Sequence, residues 1–240
     1  MPMTPSVLVF DVNETLIDIE SIAPLFGELF GDERVLREWF GQLVTYSMTV
    51  TLADMYVDFF TIGRGALRML ADIYGVEVAD ADARRLQEQM RTMPAHPDAQ
   101  GALTALRDNG FRLVTLTNSP HRPGVSTPLD NAGLASLFDR QLSVESCRAF
   151  KPSPVVYRHA CEALGVAATE CMMVAAHVWD LLGAHNVGYR TALITRPGNP
   201  PLPVEGLPQP DLVANDLHQL AEQLITGPRP SDGPPPSSTY

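Results

Sequence analysis

The sequence predicts an α/β fold, a doubly wound parallel sheet with an inserted helical cap, and three observations carry this prediction. From residue 96 onward, short apolar runs alternate with segments of helical periodicity, which is the element order of a parallel sheet with helical crossovers. The first apolar run, residues 6–10, is followed at once by Asp11. About 75 residues of helical pattern then precede the next run, which is too long for a simple crossover.

Composition limits the class of protein. With 240 residues, of which 45% are hydrophobic and 19% charged, the chain can bury a full core. A formal net charge of −11 argues against nonspecific binding to nucleic acid or to an anionic membrane, since such binding needs Lys and Arg. The three cysteines form no CxxC pair, and no apolar run approaches 18 residues. We therefore expect a cytoplasmic enzyme or binding protein.

The strands and helices follow from local pattern. A helix over residues 98–107 is closed by Asn109-Gly110, and a second helix begins at Ser153-Pro154 and ends at Gly165. The predicted strands are residues 6–10, 112–116, 141–144, 171–175, 191–194 and 212–213.

The long stretch after the first strand predicts the inserted cap. Apolar residues recur at helical spacing over residues 35–47, the pattern continues over residues 52–60, and residues 80–91 form a more polar surface helix. We expect an α/β core of residues 1–17 and 95–225 and a helical cap of residues 18–94. The Pro- and Ser-rich residues 226–240 are expected to form a disordered tail.

Four polar clusters follow strands or begin helices. They are residues 11–15, 117–118, 151–157 and 177–180. Because the carboxyl ends of parallel strands share one edge of a sheet, the clusters should meet in one crevice. Asp11 alone has a simpler interpretation, an Asp that caps a turn.

The clusters carry a resemblance to a known family. Asp11-x-x-x-Thr15-Leu16, Leu116-Thr117-Asn118, Lys151-Pro152-x-Pro154-x-x-Tyr157 and Ala175-Ala176-His177-x-Trp179-Asp180-x-x-Gly183-Ala184 resemble the four motifs of the haloacid dehalogenase superfamily. More narrowly, they are similar to those of the 2-haloacid dehalogenases. The match runs from Val7 to about residue 215, in family order and spacing. The resemblance implies the doubly wound core, the cap and hydrolysis of a carbon–halogen bond.

Two departures separate the chain from the phosphatases of the superfamily. The phosphatase pattern has a second Asp two residues after the nucleophile, where this chain has Asn13, and a metal-binding Asp where it has Ala176. A hard divalent cation needs charged oxygen ligands, so the sequence predicts no metal and no cofactor. A metal-dependent phosphatase of the same fold and a catalytically idle binding protein remain as alternatives.

The resemblance implies a mechanism with a carboxylate nucleophile. Asp11 attacks C2 of a 2-haloalkanoate, halide leaves, and water then hydrolyses the resulting ester to a 2-hydroxy acid with inverted configuration. Lys151 keeps Asp11 ionised, and Asp180 holds Lys151 or orients water. The remaining expected assignments are Thr15, Thr117 and Asn118 around the substrate carboxylate and Tyr157 in support of Lys151.

Further candidates surround this centre. We expect Glu14 to orient His177 so that the ring activates water, although His177 could instead be a structural, hydrogen-bonded group. Arg37 is the candidate for receiving halide, with Arg34 as the alternative one helical turn away. Trp179 is expected to line the substrate pocket, and Trp39 and Phe60 either join it or belong to the core. The partners implied are a small 2-haloacid and halide, and the apolar cap helices would allow a homodimer.

Overall fold

A computed structural model describes residues 5–122 and 124–227 of the chain, and its centre is a parallel sheet. The strand order is β3-β2-β1-β4-β5-β6, with every neighbouring pair parallel. The strands are β1 (Val7–Phe10), β2 (Arg112–Thr117), β3 (Arg140–Ser143), β4 (Cys171–Ala175), β5 (Arg190–Ile194) and β6 (Leu212–Ala214). The predicted doubly wound parallel sheet is confirmed, with β3 and β5 each beginning one residue earlier than their patterns indicated and β3 also ending one residue earlier.

β1 occupies the position in the sheet where ligands bind in this class of fold. The chain runs from β1 outward through β2 and β3, then returns to the other side of β1 and continues through β4, β5 and β6. This reversal leaves a crevice beyond the carboxyl ends of β1 and β4. All four residues of β1 are buried, as expected for a central strand covered on both faces.

Helices cover the sheet and fill the long connection after β1. Within the described residues they are α1 (Ala23–Phe30), α2 (Val35–Leu52), α3 (Phe59–Tyr74), α4 (Asp80–Thr92), α5 (Ala99–Asp108), α6 (Pro128–Asn131), α7 (Pro154–Leu164), α8 (Val178–His185) and α9 (Leu217–Thr226). In the α/β part α5 packs against α9 and α7 against α8, while α2 packs against α3 in the long connection.

The two ends of the α1–α4 segment lie side by side. The backbone N–H of Asp18 donates to Pro94 O (2.9 Å), and that of His96 donates to Leu16 O (2.9 Å). A helical segment of this length can therefore leave the α/β part and return without disturbing the sheet. The division into a core and a cap at residues 17/18 and 94/95 stays a prediction.

One helix of this segment differs from its sequence pattern. The apolar spacing suggested a helix through residues 52–60, but α2 ends at Leu52 and α3 begins at Phe59. Asp54 between them has a left-handed φ of 55°, which interrupts the helix. Asp58 then caps α3, because its carboxylate accepts from the N–H of Thr61 (3.1 Å).

The last described helix is α9, and it reaches into the expected tail. α9 continues through Thr226, and residues 228–240 of the expected tail lie outside the described residues. Over the described part of the chain, every helix is too short or too polar to span a bilayer.

Candidate active site

Asp11 is held at the rim of the sheet. It is 4% exposed, and its backbone N–H donates to Val174 O of β4 (3.0 Å). Thr15 Oγ1 donates to Asp11 Oδ2 (2.9 Å) and accepts from the N–H of Ala176 (2.9 Å). The turn after β1 is thereby joined to the end of β4, and the carboxylate cannot swing out to solvent.

Lys151 is a fully buried cation between two carboxylates. Its Nζ donates to Asp11 Oδ1 (2.7 Å), to Asp180 Oδ2 (2.7 Å) and to the carbonyl of Leu116 (2.9 Å). These three contacts use all three ammonium protons. The backbone N–H of Lys151 donates to Asn118 Oδ1 (3.1 Å), so the segment after β2 also fixes the lysine.

Tyr157 forms a hydrogen bond with Asp180, the second carboxylate partner of Lys151. Its hydroxyl donates to Asp180 Oδ1 (2.6 Å), while Lys151 holds Asp180 Oδ2. Pro154 begins α7 and places Tyr157 in the first turn of that helix. Gly183, which has no side chain, lets α8 lie close to Pro152 and Tyr157. A Cβ on Gly183 would lie 2.6 Å from the carbonyl oxygen of Pro152 and 2.7 Å from Tyr157 Cε2. The tyrosine therefore supports Lys151 through Asp180.

The charges of this centre stabilise one another. Burial alone would raise the pKa of Asp11, but Lys151 and His177 outweigh burial and lower it well below its ordinary value. Burial would lower the pKa of Lys151, and the two carboxylates instead raise it. Burial raises the pKa of Asp180, with Lys151 acting in the opposite direction. Asp11 is consequently an anion and Lys151 a cation at neutral pH.

His177 lies between Asp11 and Glu14. Its Nδ1 is 3.1 Å from Asp11 Oδ2 and its Nε2 is 2.6 Å from Glu14 Oε2. The ring stacks on Trp179, with centroids 4.9 Å apart, and Phe40 lies 5.8 Å away. Burial would lower the pKa of His177, but its hydrogen bonds to the two carboxylates raise it to about 9. The ring is therefore an imidazolium at neutral pH and donates to both carboxylates.

Glu14 is held in an uncommon backbone conformation. Its φ is 61°, in the left-handed region that non-glycine residues adopt at a cost of about 1–3 kcal/mol. The N–H of Glu14 donates to Ile17 O (2.9 Å), and its carbonyl lies 3.0 Å from His96 Nε2. Burial would raise the pKa of Glu14, but His177 and then Arg37 lower it. The strained turn aims a buried carboxylate at the imidazolium.

Arg37 contacts Glu14 rather than Asp11. Its guanidinium pairs with Glu14 and with Glu20, and its Nη2 donates to Pro197 O (3.0 Å). The alternative, Arg34, has a side chain that is 91% exposed and is paired with Asp32. Of these two, Arg37 is the one that reaches the candidate site, through a carboxylate.

The residues expected to hold a substrate carboxylate already have protein partners. Thr15 Oγ1 binds Asp11, Thr117 Oγ1 accepts from the N–H of Ser119 (3.1 Å), and Asn118 Oδ1 accepts from Lys151. Their side chains shape the rim beside Asp11.

The three aromatic candidates fall in different places. Trp179 contacts the site through His177, and its ring lies 5.9 Å from Lys151 Nζ. Trp39 is fully buried and donates from Nε1 to Gly63 O (2.9 Å), so it is a core residue of the helical segment. Phe60 is half-buried and lines a cavity near the site.

Sequence reasoning missed some partners of the site. Asn199 Nδ2 donates to Glu14 Oε1 (3.2 Å), and Arg196 donates to the carbonyl of Thr15 (2.9 Å) and pairs with Asp98. Both residues lie more than 180 positions from Glu14 or Thr15 in the chain, outside any motif, so no local signal marked them. Within residues 5–122 and 124–227, no group of three or more His, Cys, Asp or Glu is arranged to hold a metal ion.

The chain is similar in sequence and in fold to known proteins. Residues 5–188 match the family model described as a haloacid dehalogenase-like hydrolase. The chain is 32% identical to (S)-2-haloacid dehalogenase 4A of Burkholderia cepacia, over 80% of this chain and 84% of that protein. It is 29% identical to haloacetate dehalogenase H-2 of Moraxella sp. (strain B), over 80% and 86%. A solved L-2-haloacid dehalogenase of Xanthobacter autotrophicus superposes with a TM-score of 0.82 at 26% identity, covering 92% of this chain and 99% of that one.

Proposed function

This chain belongs to the haloacid dehalogenase-like hydrolases, and from that membership we propose that it hydrolyses short 2-haloalkanoic acids to 2-hydroxy acids. The relatives named above are haloacid and haloacetate dehalogenases, and the (S) enantiomer is the expected substrate. The reaction proceeds through an alkyl ester on Asp11. The observation that carries this proposal is the buried Lys151 ammonium 2.7 Å from Asp11 and 2.7 Å from Asp180.

The ammonium group favours substitution at carbon over phosphoryl transfer. Asp11 and Asp180 share the single charge of Lys151, where a phosphatase would have a divalent cation to neutralise a phosphoryl group. The residues at the two departures, Asn13 and Ala176, supply neither a second carboxylic acid nor a third carboxylate ligand. A haloacid carries one negative charge and needs less neutralisation.

In the first step Asp11 displaces halide. A carboxylate oxygen of Asp11 forms a bond to C2 of the substrate, the carbon–halogen bond breaks in line, and halide leaves with the bonding pair. The lowered pKa of Asp11 keeps the nucleophile ionised. Thr15 and Lys151 fix its orientation, so little ordering of the carboxylate remains to be done when substrate binds.

In the second step His177 accepts a proton from water. The imidazolium of the resting enzyme cannot do so, but esterification removes the negative charge of Asp11, one of the two groups that raise the pKa of His177. The ring then releases a proton to solvent and becomes a base. Water attacks the ester carbonyl, its proton passes to His177, and hydrolysis restores the Asp11 carboxylate and releases the 2-hydroxy acid.

Glu14 and Arg37 are positioning residues in this scheme. Glu14 holds Nε2 of His177, which leaves Nδ1 facing Asp11. Arg37 and Asn199 hold Glu14 in turn. The contact of Arg37 with departing halide stays a prediction, as does the contact of the substrate carboxylate with Thr117 and Asn118.

Isotope labelling tests the proposed ester. In a single turnover in H₂¹⁸O, we expect label in the Asp11 carboxylate and none in the first equivalent of 2-hydroxy acid, since water attacks the ester carbonyl. The His177→Ala variant should accumulate a substrate-sized mass on the peptide containing Asp11, and Asp11→Asn should release no halide. Direct labelling of the product in the first turnover would contradict the scheme, and absence of any adduct would favour an idle binding protein.

A phosphatase control addresses the first alternative. We expect halide release from (S)-2-chloropropionate with EDTA present, and no phosphate release from p-nitrophenyl phosphate with added Mg²⁺. EDTA-sensitive phosphate release together with no halide release would replace the proposal by a metal-dependent phosphatase.

Assembly and location remain sequence-based proposals. Leu52, Met55 and Ile73 of the helical segment are 89%, 68% and 64% exposed, which supports the proposed homodimer. Light scattering of the wild-type chain and of a Leu52→Lys variant would test the homodimer. The cytoplasmic location is inferred from composition alone.

A further inference from the structure

A cavity of about 370 Å³ opens beside the candidate active site. It lies between helices α3 and α4 and the segment that follows β2. Its inner lining includes Val12, Thr117 and Ser119, which are buried. Val12 follows Asp11 in the chain and Thr117 precedes Asn118, so the inner end of the cavity is lined by the chain neighbours of two residues of the candidate site. This volume lies within the range of small-molecule sites and exceeds what a two- or three-carbon acid fills.

The outer wall of this cavity is cationic. Arg64 of α3, Arg91 of α4 and Arg122 all line it, in a chain whose formal net charge is −11. Asp58 is the opposing carboxylate in the lining, 3.9 Å from the guanidinium of Arg122, and it also accepts from the hydroxyl of Thr61 (2.5 Å). The lining therefore has an excess of positive charge, and a ligand placed there would be anionic.

His121 adds no positive charge to this wall. Burial lowers its pKa below the ordinary value of 6.5, so the ring is neutral at pH 7. The cationic character comes from the arginines alone.

The arginines are weakly engaged by protein. Arg91 Nε is buried and has no hydrogen-bond partner in the part of the chain that the structure describes. The Nη1 of Arg91 lies 3.3 Å from Glu88, which is largely exposed, and the Nη2 of Arg64 lies 3.5 Å from Thr61 Oγ1. A buried guanidinium N–H without a partner is costly, so the protein leaves Arg91 with unused hydrogen-bonding capacity.

We propose that this cavity binds a second carboxylate at the far end of the substrate, so that the enzyme prefers 2-halo diacids to 2-halo monoacids of the same length. The inference rests on the proposed dehalogenase function and names the substrate class of that site. The reacting end of the substrate lies at Asp11. Val12 and Phe60 of the cavity lining offer apolar surface to the connecting methylene groups, and Arg64 and Arg91 receive the terminal carboxylate. A monoacid would leave Arg64 and Arg91 with only their long contacts to Thr61 and Glu88.

Paired substrates test the proposal. We compare 2-chloro diacids of four, five and six carbons with 2-chloro monoacids of equal length, so that each pair differs by one carboxylate. The expected result is a kcat/KM ratio, diacid over monoacid, of at least about tenfold for the preferred length, which corresponds to about 1.4 kcal/mol. In Arg64→Met/Arg91→Met that ratio should fall at least about tenfold. Arg84→Met, an exposed arginine of α4 outside the cavity lining, is the matched control and should retain the wild-type ratio.

Two other outcomes overturn the inference. A ratio near one at every length would show that the second carboxylate is not recognised. An equal loss for diacids and monoacids in Arg64→Met/Arg91→Met would show that the arginines only steer anions toward the site.

Binding of halogen-free acids separates this inference from the proposed function. Calorimetry with hexanedioate and hexanoate needs no reaction at Asp11. Tighter binding of hexanedioate, lost in Arg64→Met/Arg91→Met, supports the diacid site even if no halide is ever released. Equal binding of the two acids together with normal halide release refutes the diacid site and leaves the dehalogenase proposal standing.

Discussion

Replacement of His177 by Asn should remove a specific pH dependence of stability. His177 has a pKa of about 9 in the folded protein, against an ordinary value of 6.5, because Asp11 and Glu14 each hold one ring nitrogen. A group whose pKa is raised by folding stabilises the protein fully below its unfolded pKa. That contribution is lost as the pH rises through the folded pKa. The loss attributable to His177 therefore begins near pH 6.5 and continues to about pH 9.

The size of this effect follows from the shift. Each pKa unit is worth about 1.4 kcal/mol, so the full contribution of His177 is on the order of 3 kcal/mol. Between pH 6 and pH 8.5 the linkage relation gives a decrease of about 2 kcal/mol in the free energy of unfolding. His177→Asn cannot titrate and should lack this decrease, although it is less stable at pH 6 because Asp11 and Glu14 lose their shared cation.

Urea unfolding at several pH values between 6 and 8.5 measures this difference. His218→Asn, at an exposed histidine of α9, is the control for a His-to-Asn replacement away from the candidate site. Groups such as His96 and His121 titrate in both proteins, so the difference between the wild type and His177→Asn isolates His177. Parallel slopes for the two proteins would mean that His177 is not an imidazolium between carboxylates, and the proposed loss of a proton from His177 after esterification would lose its basis.

Three further predictions concern the groups around Lys151. Lys151→Met should lower kcat for halide release by roughly 10²–10³-fold and reduce the free energy of unfolding by about 3–5 kcal/mol, because two buried carboxylates lose their cation; near-normal activity would contradict this. Gly183→Ala should cost about 1–3 kcal/mol in urea unfolding, since its Cβ would lie 2.6 Å from the carbonyl of Pro152, whereas Gly65→Ala on α3 has open space and should be neutral or slightly stabilising. Tyr157→Phe should cost about 1–3 kcal/mol and lower kcat more than it changes KM, because it acts through the carboxylate that holds Lys151 rather than on substrate; a change confined to KM would place it in the binding site instead.

The sequence determined the fold class and the set of chemical groups. Parallel-sheet strands are short, apolar and separated by helices, so their order can be predicted from local pattern. The motifs containing Asp11, Lys151, His177 and Asp180 each follow a strand or begin a helix. Their common position at one edge of the sheet could therefore be predicted from the sequence. The break between α2 and α3 was not predictable from spacing, because Asp54 and Asp58 override an apolar pattern that continues across them.

Only the tertiary structure decided how those groups share their charges. A motif gives the order of residues along the chain, whereas a pKa depends on distances between atoms far apart in sequence and on burial. The sequence suggested that His177 is a base oriented by Glu14. The structure places a second carboxylate, Asp11, on its other nitrogen, which makes the resting ring an acid. It likewise pairs Arg37 with Glu14 and gathers Arg64, Arg91 and Arg122 on one cavity wall, because three-dimensional proximity is set by packing and not by spacing along the chain.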